Sequence, residues 1–169
     1  MVLPDEVRQT VTSYLAHQGR KDASAIAEVI ERERRRLVDV LAEVSQAQAE
    51  FVASPGQWSI RDVVEHVAVA ERGVVGIIAR LAGAAAPPEG PSAAGRSLTE
   101  LRQHLTAVRA QLLSLVERLP QDANLDAKHD HPFFGPLNWK EWLAFQRVHD
   151  GDHIEQIEAI QGSPSYPRA

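Results

Sequence analysis

Helical periodicity, sustained over four long stretches with almost no strand-like alternation between them, is what most limits the folds open to this chain. From Asp22 to about Gln48, Ile26, Ile30, Leu37, Val40, Leu41 and Val44 recur at helical steps and predict a first long helix. Ser59 followed by Asp62 caps a second, Ile60 to Leu81, whose stripe is Val63, Val64, Val67, Val74, Ile77, Ile78 and Leu81. Its valines lower intrinsic helix propensity, so tertiary packing has to hold it. Ser97 and Glu100 form a capping box ahead of Leu101, Leu105, Val108, Leu112, Leu115 and Leu119, a helix that Pro120 ends. Asn138 with Glu141 opens the last, through Trp142, Phe145, His149, His153, Ile157 and Ile160 to Gly162. The expected fold is all-α, a four-helix bundle with a short extra N-terminal helix, with functional groups in the core on facing helices.

The extra helix covers residues 5–18, with Val7, Val11, Tyr14 and Leu15 in step behind Pro4 and Gly19 closing it. The expected organisation is therefore an N-terminal helical extension over 1–21, the bundle over 22–162 and a tail over 163–169 that Pro164 and Pro167 keep extended. Residues 82–96 carry no large apolar side chain and predict an exposed, mobile loop. Residues 121–137 look irregular, with His129 and His131 in turn or capping roles. Trp139, Trp142, Phe145, Phe133 and Phe134 read first as packing that fixes this loop onto the bundle, and second as the lining of a substrate pocket.

Composition closes several routes. The chain has no cysteine, which excludes a disulfide scaffold, a zinc ribbon and a protein thiol as nucleophile. A net charge of −5 argues against a broad grip on nucleic acid, and the basic run over 32–36 alternates with acid like a solvated helix face. No 18-residue apolar stretch suggests a membrane span, and the first twenty residues lack a signal-peptide pattern, so the expected compartment is the cytoplasm.

Seven histidines are the one concentrated chemical resource. His149 and His153 stand four apart, one turn along a single helix face, in the same sector as Trp142, Phe145 and Ile160. Two such core-facing imidazoles either share a divalent metal or are each satisfied by a buried carbonyl or carboxylate, and the pair alone does not choose. His66 lies in the sector of Val63, Ala70 and Ile77 on the second long helix; alone it reads as a core histidine, and with the pair it completes a facial set of three. Such a set leaves coordination positions open and keeps the metal's full charge, which suits an anion such as hydroxide, carboxylate or thiolate. His17 and His104 lack such company and read as surface residues.

The segments PGQWSIRDVVEHVAVAE and HPFFGPLNWKEWLAFQRVHDGDHIEQI, with Trp58, His66, an H-P-x-x-G loop and H-x-x-x-H, resemble the DinB-like (YfiT-like) four-helix-bundle proteins over about residues 22–161. The resemblance implies a divalent metal, nickel or zinc, held by His66, His149 and His153. It also implies a homodimer, and a low-molecular-weight thiol such as bacillithiol or mycothiol as co-substrate. The expected function is thus a metal-dependent enzyme that transfers a thiol to a small electrophilic substrate; a chain without cysteine would import its thiol. The alternatives are a hydrolase using metal-bound hydroxide and a non-catalytic ligand-binding bundle, and neither nucleic acid nor membrane is an expected partner. No general base is assigned: Glu71 points about 140° from His66, and Asp150 and Asp152 read as solvated charges flanking the pair. The N-terminal helix lies outside the resemblance and covers either a bundle end or an oligomer interface.

Overall fold

The computed structural model describes residues 4–168 and shows helices α1 (Asp5–Gln18), α2 (Ala23–Leu41), α3 (Gln46–Ala49), α4 (Ile60–Leu81), α5 (Leu98–Glu117) and α6 (Trp139–Gln161). A hairpin of β1 (His129–His131) and β2 (Gly135–Leu137) precedes α6. The Ser59/Asp62, Ser97/Glu100 and Asn138/Glu141 pairs each form the reciprocal capping box that the sequence predicts. One helix is corrected: the first long helix stops at Leu41 instead of continuing to Gln48. A further capping box, Ser45 with Gln48, starts α3 there, and Arg102 donates to the carbonyls that the break leaves at Leu41 and Val44.

The order of the long helices follows from their end-to-end contacts. Lys140 Nζ donates to the Lys21 carbonyl at 3.1 Å at one end, and Gln161 Nε2 to the Val40 carbonyl at 3.3 Å at the other, so α2 and α6 run parallel. Asn124, ahead of α6, donates to the Leu81 carbonyl at the end of α4, which makes those two antiparallel. The Gly95 amide, just before α5, meets Glu65 near the start of α4 at 3.3 Å, so the consecutive helices α4 and α5 also run parallel. Their connection must therefore return along the whole bundle. At about 1.5 Å per residue the 22 residues of α4 cover roughly 33 Å, which residues 82–97 can span with slack at about 3.3 Å each. Although mostly exposed, this segment is anchored: Ala93 is buried with Leu98 and Leu101, and Gly90 packs against the Arg72 guanidinium, which a side chain there would displace.

The core has two apolar halves with a charged layer between them. Leu15, Ile26, Ile30, Val74, Ile78, Leu112 and Leu143 belong to one half; Leu37, Val64, Val67, Leu101, Leu105, Ile154 and Ile157 belong to the other. Each long helix contributes one charge to the layer: Arg34, Glu71, Arg109 and Asp150. Arg34 binds Asp150 through Nε and Nη2, both at 3.0 Å, and Glu71 at 2.6 Å. Arg109 binds Glu71 at 2.5 Å, Asp150 at 3.1 Å and the Ile30 carbonyl at 2.9 Å. Burial works against the Arg34 charge, but Glu71 and Asp150 more than offset it and raise its pKa above the ordinary guanidinium value. Two expectations are overturned here, since neither Arg34, in the basic run, nor Asp150 is solvated; they are 5% and 0% exposed. Position outweighs residue type: Arg34 stands between Ile30 and Leu37 in the α2 stripe, as Arg109 stands between Leu105 and Leu112 in α5.

Smaller corrections have local causes. His104, expected at the surface, is buried in a cleft with the returning segment at Glu89–Ala93. The tail turns back instead of extending: the Tyr166 amide reaches the Ser163 carbonyl, its ring meets Phe51 edge-on at 5.6 Å, and Gln48 binds the Pro167 carbonyl. His129 and His131 lie in an antiparallel hairpin, not an irregular loop, and Gly135 supplies the positive φ of 73° at its turn. The N-terminal α1 packs along α6, with Leu15 in the core and Arg147 over the Tyr14 ring. No helix among the described residues is long and apolar enough to cross a membrane.

Candidate metal centre

Two capped helices present the three histidines. Ser59 starts α4 and puts His66 on its second turn, while Asn138 starts α6. The α6 N-terminus is held down by two indoles: Trp139 Nε1 donates to the Ala123 carbonyl at 2.7 Å and Trp142 Nε1 to the His129 carbonyl at 3.2 Å. These aromatic residues are core packing, as read. With α6 fixed and antiparallel to α4, His149 and His153 come to face His66.

The three rings meet with centroids 5.3 Å (His66–His149), 4.9 Å (His66–His153) and 4.5 Å (His149–His153) apart. One candidate ligand atom from each lies within 4.8 Å of the others, and the Nε2 atoms of His66 and His149 are 3.3 Å apart. Imidazole nitrogens about 2.0–2.1 Å from a shared ion stand roughly 3–3.4 Å from each other at ordinary coordination angles. The His66–His149 edge already fits, and a ligand atom of His153 lies within 4.8 Å of both. Gln156, which sequence reasoning missed, accepts from His153 Nδ1 at 2.9 Å and so leaves the Nε2 lone pair of that ring for a cation. Its signal was its place one turn beyond His153.

The electrostatics suit a ligand set that needs no deprotonation. Burial, with His153 adding to it and Asp150 opposing, holds His149 at a pKa of about 3. Burial and His153 also lower His66. Neutral imidazole is the ligating form, and both rings are in it at neutral pH. Glu71 and Asp150 are committed to the two buried arginines and Glu65, next to His66, pairs with Arg61, while Asp152 is exposed, as expected. A cleft of about 740 Å³ lies elsewhere, between α2 and α5, where none of the three histidines lines it.

His131 is a separate buried imidazole. It lies between Phe145, 4.4 Å away, and Phe134, 4.7 Å away, and accepts the Phe133 amide on Nδ1. Burial lowers its pKa to about 4. The unfolded chain, with an ordinary imidazole near 6.5, then binds the extra proton first, so this residue removes stability as pH falls from about 6.5 towards 4 and is silent above that window. Metal-free His131→Phe should therefore lose less melting temperature than the parent between pH 7.5 and 5. Parallel losses in the two proteins would contradict the assignment.

The sequence model of the DinB superfamily matches residues 30–157. Among solved structures, TT2238, a four-helix bundle protein, is 28% identical with a TM-score of 0.66, the match covering 81% of this chain and 98% of that one. YfiT from Bacillus subtilis, described as a probable metal-dependent hydrolase with an unusual four-helix bundle topology, is 16% identical with a TM-score of 0.65, covering 82% of this chain and 85% of YfiT. At that identity YfiT speaks for the fold. No curated protein matches the chain significantly.

Proposed function

The chain belongs to the DinB superfamily, and on that footing we propose that it is a metal-dependent enzyme transferring a low-molecular-weight thiol to a small electrophile. His66, His149 and His153 would hold one divalent ion, zinc or nickel. Bound there, the ion supplies positive charge that favours the thiolate over the thiol at neutral pH. The observation that carries the reading is the convergence of three imidazoles within 4.8 Å, with the neighbouring carboxylates engaged by Arg34 and Arg109. With Glu71 and Asp150 already engaged, the nucleophile that fits best is one that is acidic already; a thiol, near pKa 8.5, needs far less help than water.

The residues divide the work. Neutral His149 and His66 offer lone pairs with no proton to shed, Gln156 fixes the tautomer of His153, and the charged layer holds α4 against α6 so that the three rings stay in register. The same reading brings a homodimer working in the cytoplasm. Cobalt-substituted protein should gain a thiolate-to-metal charge-transfer band on titration with 2-mercaptoethanol, saturably and at one thiol per ion. No band, together with ester turnover in the absence of thiol, would replace this reading with the hydrolase, which the likeness of the fold to YfiT favours.

A further inference from the structure

Two large aromatic side chains are nearly half exposed at the ends of a chain of rings that passes through the histidine cluster. Trp58 is 44% exposed, yet its ring lies 5.1 Å from that of His66. Phe133 is 45% exposed at the hairpin turn. Its ring is 6.0 Å from His131, which leads to Phe145 at 4.4 Å and from there to His149 at 5.6 Å. A run of rings thus extends from Trp58 across the cluster to Phe133 without a charged side chain in it.

Both exposed rings come from the short segments that enter the helices carrying the histidines. Trp58 immediately precedes the α4 cap Ser59, and the hairpin immediately precedes the α6 cap Asn138. The hairpin is not a loose tip. The Phe133 backbone is fixed by its amide's hydrogen bond to His131 Nδ1 at 3.2 Å, and the hairpin is tied to α6 through Trp142. Apolar surface beside a few convergent polar groups is the general build of a small-molecule site.

We propose that Trp58 and Phe133 are the walls of the substrate site, holding the flat apolar body of an aryl-bearing molecule whose polar end reaches His66, His149 and His153. The inference rests on the metal-centre reading and narrows its substrate class to aryl compounds; short aliphatic ones would bind without using either wall.

Nickel-loaded protein titrated with benzohydroxamate and with acetohydroxamate tests it, because the two share a chelating head and differ in the phenyl group. Visible absorption of the ion reports binding without any turnover. Benzohydroxamate should bind at least tenfold more tightly. Trp58→Ala and Phe133→Ala should each cut that ratio to threefold or less, with acetohydroxamate affinity and nickel content unchanged. Equal binding of the two by the parent, or a preference that survives in both variants, overturns the inference and leaves the metal centre standing. A chain that takes up no nickel or zinc overturns the metal centre and the inference together.

Discussion

Asp150→Ala should lower the stability of the protein by about 3–5 kcal/mol, the range for breaking a buried ion network by removing one member. The carboxylate is fully buried and accepts from Arg34 at 3.0 Å and from Arg109 at 3.1 Å. Its loss leaves two buried guanidinium groups with Glu71 as their one buried carboxylate and the part-exposed Glu31 at 3.4 Å from Arg109, in a layer closed on both sides by apolar side chains. Denaturant unfolding of the metal-free protein gives the difference directly. A loss below about 1 kcal/mol, the value typical of a solvated pair, would show that water reaches the layer. Replacing all four charges by apolar residues of similar volume should cost far less than the single change, since the charges' own desolvation penalty disappears with them.

What the layer adds is register. Apolar stripes tolerate sliding, but a shift of any long helix by one turn, about 5.4 Å, would separate its charge from every partner. His149 is the residue next to Asp150, and Glu71 lies a little over one turn along α4 from His66. The network that aligns α4 with α6 is thus the same one that aligns the histidines, and Asp150→Ala should weaken metal uptake as well as folding.

Much of this was legible in the residues. Reciprocal caps locate the starts of α4, α5 and α6, because a Ser or Asn with an acid three residues on satisfies amides that no helix can satisfy internally. The histidine trio could be picked out because each member holds a stripe position where an unpartnered imidazole is costly. The charged layer obeyed the same geometry and was missed, since Arg34 inside a run of charges resembles a solvated face when residue type is weighed before position. Helix direction was beyond local pattern altogether. That α4 and α5 run parallel depends on contacts between distant segments, and its one local sign was a connection too long for a hairpin of helices.

A second large response should come from metal and the His149→Ala, His153→Ala double change. If the three imidazoles bind one ion, zinc or nickel at a hundredfold excess over its dissociation constant stabilises the parent by about 2.7 kcal/mol. For a domain of this size that is a rise in melting temperature of roughly 5–10 °C. The double variant keeps His66 as a lone part-buried imidazole, with no second histidine from α6. It should show no rise, and its metal content should fall from about one ion per chain to none. The comparison separates binding from folding, because each protein is its own metal-free reference and any cost of the two alanines cancels. A parent whose melting temperature ignores both ions would leave three clustered imidazoles, one buried and two part-buried, to be explained by each other alone. The 3.3 Å contact between His66 and His149 could then satisfy one nitrogen of each as donor and acceptor, but it would give no reason for a third imidazole, His153, to lie within 4.8 Å of both.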